Sequence, residues 1–129
     1  TCLPRTAAGA LGRIRALEAR GLGPDAALEE IDAALGRPDA TGAVANELGA
    51  MRVRALLAQG RTADALTATE HALRVWPGAR DVELRRVAAR LHAAAGECAS
   101  ARPHLDFLAG ANALGEDSAL LSLCPPEKR

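Results

Sequence analysis

The stretch MRVRALLAQGRTADALTATEHALRVWPG, Met51–Gly78, decides how the rest of the chain is read. Leu48, Met51, Ala55 and Ala58 recur at intervals of three and four, which puts them on one face of an α-helix. Val53, Leu56 and Leu57 widen that face, so this helix is expected to be buried on more than one side. Gly60 ends it, because the left-handed cap of a helix penalises a β-carbon. Thr62 is expected to cap a second helix, with Asp64 in the first turn where the helix dipole favours an acid. Ala65, Leu66, Thr69, Ala72, Leu73 and Trp76 form its inner stripe, and Pro77-Gly78 close it. So short a connection lays the two helices antiparallel.

The pattern recurs on both sides. RIRALEARG, Arg13–Gly21, lies over RVRALLAQG, Arg52–Gly60, with most positions identical. Ala27-Leu28 and Ala34-Leu35 repeat the spacing of Ala65-Leu66 and Ala72-Leu73 about forty residues earlier, the mark of stacked repeats. In this first unit Thr6 caps a helix running to about Arg20, which Gly9 and Gly12 weaken by roughly 1 kcal/mol each. Pro24 suits the first position of the next helix, with Asp25 beside it. That helix turns Ala27, Leu28, Ile31, Ala34 and Leu35 inward and ends at Gly36–Pro38. The turn Gly21-Leu22-Gly23 is a variant, since its glycine and Ala-Leu anchors disagree by one residue with those of the second unit.

A third unit begins with Asp81 as cap, carries Leu84, Val87, Ala88 and Leu91 inward, and ends at Gly96. Its second helix should turn Leu105, Phe107 and Leu108 inward. Pro103 is harmless only where its missing N–H would have been unpaired anyway, so the expected cap is Ser100, with Cys98 left in the turn. Asn112–Gly115 reads as a loop and Ser118–Cys124 as a short final helix, stopped by Pro125-Pro126.

The composition agrees. The chain has 129 residues, enough for one domain with a real core, and 49% are hydrophobic, yet it holds no tyrosine, one Phe and one Trp. Alanine dominates, which favours helix over strand and close helix–helix contact over a core of large aromatics. Formal net charge is zero, which argues against a general nucleic-acid binder, and no apolar run is long enough to cross a bilayer. Lys128 is the only lysine among the basic residues, a bias read first as genome composition. With neither a starting methionine nor a signal peptide, the chain reads as a mature or trimmed form.

With Gly60 as the mid-repeat glycine, Ala65, Leu66, Ala72, Leu73 and Pro77 fall where a tetratricopeptide repeat keeps its small, apolar and closing residues, and the chain resembles that family. Gly49 stands where the family has a large apolar residue, and Val53 where it has a small one. The first turn of that helix should therefore be thinly packed. The resemblance implies an all-α fold: a right-handed α-solenoid of about three TPR-like hairpins at residues 6–38, 42–78 and 81–109. A capping helix at 117–124 would complete it, between a lead-in at 1–5 and a tail at 125–129.

The charges segregate. The first helices hold Arg13, Arg15, Arg20, Arg52, Arg54, Arg85, Arg86 and Arg90, and the second helices hold Asp25, Glu29, Glu30, Asp32, Asp64, Glu70 and Asp106. Arg15, Arg54 and Arg90 each stand six residues before their unit's glycine. In the family resembled, the first helices line the concave face and that position touches a bound peptide; Arg86, one turn before Arg90, shares its face. Arg15, Arg54, Arg86 and Arg90 are thus the candidate binding residues for a peptide C-terminus or acidic side chains. The guanidinium fork can give two hydrogen bonds to one carboxylate. The competing reading pairs these arginines with acids of neighbouring helices, at about 0–1 kcal/mol each when exposed. Arg86 and Arg90 are like charges four apart, a small cost on a bare helix that an anion would relieve.

An antiparallel hairpin turning near Asn112 would bring Cys98 and Cys124 together as a disulfide worth ~3 kcal/mol; two buried thiols are the alternative. A bridge would imply an extracytoplasmic protein, free thiols a cytoplasmic one. Cys2 reads as the lipid-anchored cysteine of a bacterial lipoprotein, a free thiol or a cloning boundary. His71, His92 and His104 lack metal-ligand spacing, Gly21-Leu22-Gly23 lacks the third glycine of a phosphate loop, and no nucleophile motif is present. Trp76 reads as core beside Pro77; as a contact residue it would need a neighbour that the sequence does not place. No cofactor or metal is expected. The expected function is a non-catalytic interaction or assembly module gripping a peptide or partner helix. The competing classes are a regulatory segment of a larger signalling or transcription protein and a helical enzyme without a recognisable motif.

Overall fold

The computed structural model describes residues 6–125, so Cys2, the lead-in at 1–5 and most of the tail, Pro126 included, lie outside the described residues. These residues form helices and turns with no strand, and the protein is all-α. Among the described residues no helix is long and apolar enough to cross a membrane. The chain divides into two compact units, Thr1–Arg80 and Asp81–Arg129.

The first unit contains α1 (Ala7–Ala19), α2 (Pro24–Leu35), α3 (Gly42–Ala58) and α4 (Thr62–Val75). Thr6 caps α1 by accepting the Gly9 N–H at 2.9 Å, and Pro24 opens α2 at its first position with Asp25 beside it. The first helix of each hairpin closes identically. Leu22 N–H reaches the Leu17 carbonyl at 3.0 Å and Arg61 N–H reaches that of Leu56 at 2.9 Å. Between them Gly21 and Gly60 take φ of 95° and 74°, where a β-carbon would be strained. The first turn is one residue longer: Leu22 and Gly23 separate Gly21 from Pro24, whereas Arg61 alone separates Gly60 from Thr62. Thr62 is not the cap of α4. Arg61 holds that position, tied to Asp64 Oδ2 at 2.9 Å, and Thr62 is the first helical residue.

Helix α3 lies at the centre of this unit and packs on α1, α2 and α4. Its buried residues include Ala45, Leu48, Met51, Val53 and Leu56, which no single stripe could supply. Leu11 and Ile14 of α1 and Ala27, Ile31 and Ala34 of α2 meet Leu48 and Met51 in one cluster. Each fully buried Leu or Ile contributes about 1.5–3 kcal/mol. The thin packing expected at Gly49 is not found, because α3 begins at Gly42 and Gly49 is buried in its middle. A β-carbon there would lie 3.3 Å from both Ala72 Cβ and the Trp76 ring. Glycine is what lets α3 and α4 approach so closely.

The second unit contains α5 (Asp81–Ala94), α6 (Cys98–Gly110), a 3₁₀ turn at Gly115–Ala119 and the single turn α7 (Leu120–Leu123). Ala89, Ala101, Leu105, Leu108 and Cys124 form its core. Three expectations fail here. Cys98, not Ser100, begins α6, because Glu97 N–H closes α5 on the His92 carbonyl at 2.8 Å and the helix restarts at once. Pro103 therefore sits inside α6, where it removes the donor to the Ala99 carbonyl, at a residue that is exposed to solvent. Phe107 is 38% exposed instead of inward, its ring under the Arg85 guanidinium at 4.6 Å, and Ala101 and His104 fill the inner positions with Leu105 and Leu108. The terminal helix expected over Ser118–Cys124 is 3₁₀ in its first half and α-helical for four residues only.

Candidate functional site

The four candidate arginines are built into different surroundings. Arg15 of α1 reaches Glu47 Oε2 of α3 at 3.0 Å. Glu47 receives a second cation, since Arg80 Nε lies 2.9 Å from both of its oxygens. Burial raises the Glu47 carboxyl, but the hydrogen bond and charge of Arg80, then those of Arg15, outweigh it and hold its pKa below the ordinary value. Arg54 is exposed two turns further along the same face of α3. Arg86 and Arg90 of α5 converge on one carboxylate, Asp117 of the 3₁₀ turn. Arg86 Nε stands 2.8 Å from Oδ2 and Arg90 Nε 2.6 Å from Oδ1, with the Asp117 side chain 5% exposed. Arg15, Arg86 and Arg90 are thus engaged by acids of the chain itself, as the competing reading of the sequence has it.

The same holds for other first-helix arginines. Arg13 pairs with Glu30 at 2.6 Å and Arg52 with Asp32 at 2.8 Å, so the two equivalent positions of the duplicated RxR segment both clasp α2, from opposite sides.

Trp76 has the neighbour that the sequence could not place. His71, one turn earlier and exposed, meets its ring edge to face at 5.0 Å. The indole is half-buried, backed by Gly49, and forms one wall of an open cleft of about 360 Å³ between α2, α3 and α4. Leu35, Gly36 and Ala68 continue the lining, and Asp32 and Arg52 stand at its edge.

Comparison with protein-family models, curated proteins and solved structures gives no match. Any functional reading therefore rests on the chemistry of these side chains.

Asn46 fixes the cleft's wall, and the sequence reading missed it. It is 1% exposed; its Nδ2 donates to the Trp76 carbonyl at 2.7 Å and its Oδ1 accepts the Arg80 N–H at 2.8 Å. Both bonds go to the turn after α4, so one amide of α3 sets where Trp76 leaves its helix. A β-carbon on Gly78 would come within 2.7 Å of Asn46 Cγ, so the turn needs a glycine where it crosses this amide. A polar residue three positions before Gly49 on an apolar helix face was the available signal.

In the second unit the sulfurs of Cys98 and Cys124 lie at bonding distance with their Cα atoms 5.0 Å apart, the disulfide arrangement of the two that the sequence left open. It ties the start of α6 to the end of α7, and Arg102 donates to the Cys124 carbonyl at 3.2 Å. His92 and His104 stack in parallel at 5.9 Å, and Arg85 reaches His104 Nδ1 at 3.3 Å.

Proposed function

We propose that the chain is a non-catalytic binding module that holds a peptide segment of a partner protein. The cleft beside Trp76, rather than the arginine positions, is the primary contact. The observation that carries this reading is the half-buried indole standing over Gly49 at the edge of an open cleft. Trp is among the residues that dominate binding energy when a partner covers them, and about 360 Å³ accommodates one or two side chains. His71 and the Arg52–Asp32 pair supply polar groups at the rim, so the favoured guest is an apolar or aromatic side chain on a segment with backbone or polar groups to offer. The hairpin likeness to tetratricopeptide repeats supports a binding role in general and says nothing of the partner.

Trp76 is the chain's single tryptophan, so its emission reports on the cleft directly. Peptides selected from a random display library should shift that emission on titration and lose at least about tenfold in affinity to Trp76→Ala, about 1.4 kcal/mol. Selected peptides that bind Trp76→Ala and Gly49→Leu as tightly as the wild type would remove the cleft from the proposal.

A further inference from the structure

In the second unit the ligand expected for Arg86 and Arg90 is already present, supplied by the chain itself. Asp117 places one oxygen on each guanidinium, and Arg86 also donates from NH2 to the Ala113 carbonyl at 2.5 Å. The segment that delivers these acceptors is short: Ala113, Leu114, Leu120 and Leu121 pack part-buried against the core of the unit, and Cys124 is buried in it. From Ala113 to Pro125 it consists of a 3₁₀ turn and one turn of helix, with Leu123 67% exposed and no buried residue in α7. Its near end continues from α6; its far end is fixed by the Cys98–Cys124 bridge and by Arg102 on the Cys124 carbonyl.

The fit is also imperfect. Arg86 Nε and Asp117 Oδ2 are both buried and 2.8 Å apart, yet neither makes an aligned hydrogen bond. A guest carboxylate free to turn could engage that fork squarely, as a tethered aspartate does not. The Arg90 side chain stays 52% exposed, so the pair can be reached from solvent.

We propose that Arg86 and Arg90 form a carboxylate-binding site occupied in cis by Asp117, and that the Cys98–Cys124 disulfide is the latch that keeps the Ala113–Pro125 segment over it. The opening reaction is thiol–disulfide exchange with a dithiol reductant. Its thiolate attacks Sγ of Cys98, the half-buried partner, whereas Cys124 is fully buried. The S–S bond breaks, and its electron pair passes to the Cys124 sulfur, which takes a proton. The reductant's second thiolate then displaces Cys98, which is protonated in turn. The chain is left with two thiols and the reductant with its own disulfide. With the latch open Asp117 competes only at the effective concentration of a flexible tether, and an external carboxylate gains the site.

The test uses the full chain and a fluorescein-labelled hexa-aspartate peptide, read by anisotropy at low ionic strength. Reduction with dithiothreitol should tighten binding at least about tenfold in the wild type and not in the Arg86→Gln/Arg90→Gln chain. In the oxidised state Asp117→Asn should bind more tightly than the wild type. Hydrogen exchange should quicken on reduction over Leu114–Cys124 while α5 and α6 keep their protection. The proposal is overturned if reduction leaves wild-type binding unchanged, or if the gain is equal in the arginine double variant. It also falls if Asp117→Asn gains nothing, or if α5 and α6 lose protection together with the segment. The wild-type comparison needs no substitution and stands even if a variant fails to fold.

Discussion

Replacing Asn46 by alanine is expected to cost the first unit far more than the loss of one polar side chain usually does. The amide is 1% exposed, and its bonds include those to the Trp76 carbonyl and the Arg80 N–H. Truncation leaves both groups without a partner, at about 1–3 kcal/mol for each fully buried one. Trp76 and Arg80 are half-buried, so water recovers part of that loss and about 1–1.5 kcal/mol applies to each, giving about 2–3 kcal/mol in all. For a unit of this size 1 kcal/mol moves the melting temperature by roughly 4–8 °C, so a fall of about 10–20 °C is expected. The assay is helical circular dichroism against temperature, with Trp76 emission followed in parallel. Because the same amide sets where the indole leaves α4, the emission of the folded variant should shift to the red. Asn46→Asp keeps the shape but turns an oxygen toward the Trp76 carbonyl, and should be no better than alanine. A melting temperature within about 3 °C of wild type, with unchanged emission, would show that the turn is anchored by something other than Asn46.

Three further outcomes follow from local geometry. The Glu47 carboxyl is held below its ordinary value by Arg80 and Arg15, so its contribution is complete above the unfolded-state pKa of about 4.3 and is lost as pH falls through the folded value. Asp39, lowered chiefly by the Ala7 N–H on its carboxylate, acts in the same direction. Urea midpoints taken from pH 7 to pH 3 should therefore fall less steeply for Glu47→Gln than for the wild type; parallel curves would exclude Glu47 as a source of the acid lability. Pro103→Ala should stabilise the second unit by about 1–2 kcal/mol, since the new N–H can pair with the Ala99 carbonyl and only part of the gain is offset by a looser unfolded chain; a lower melting temperature would contradict the placing of Pro103 within α6. Gly49→Ala removes a helix penalty of roughly 1 kcal/mol but brings a β-carbon to 3.3 Å from Ala72 and Trp76. Because Trp76 borders an open cleft its ring can give way, so the expected result is stability within about 1 kcal/mol of wild type with a shifted Trp76 emission.

The helices were legible because their determinants are local. Gly21 and Gly60 close their helices through contacts of five residues, and Pro24 opens α2 by filling a position that needs no donor. The failures came where two local rules pointed to different registers. Ser100 and Thr62 are better capping residues than Glu97 and Arg61, but α6 and α4 start immediately after a glycine closure. What fixes the start is the chain reversal behind it, and hydroxyl chemistry is secondary. Phe107 is expected inward with Leu105 and Leu108; Ala101 fills the close contact instead, and the phenyl ring lies under Arg85. Alanine-lined helices approach too closely for large side chains to be interior by default.

The site was legible only as composition. The segregation of arginine into first helices and acid into second helices was visible, and it admits two physical explanations that a sequence cannot separate: an external anion, or acids of adjoining helices. In the structure several of these arginines meet acids 17, 20 and 27 residues away, beyond any helical period, so the pairings could not be read from local spacing. Arg13–Glu30 and Arg52–Asp32 are exposed and worth about 0–1 kcal/mol each, so they set the register between helices more than their stability. Asp117 differs in kind. Its buried carboxylate cannot lose its cations cheaply, and the segment that brings it to Arg86 and Arg90 is short and covalently tied at its far end. A carboxylate with that much at stake, carried on a short segment whose far end is covalently tied, is the reason the disulfide is proposed as the element on which occupancy of that pair turns.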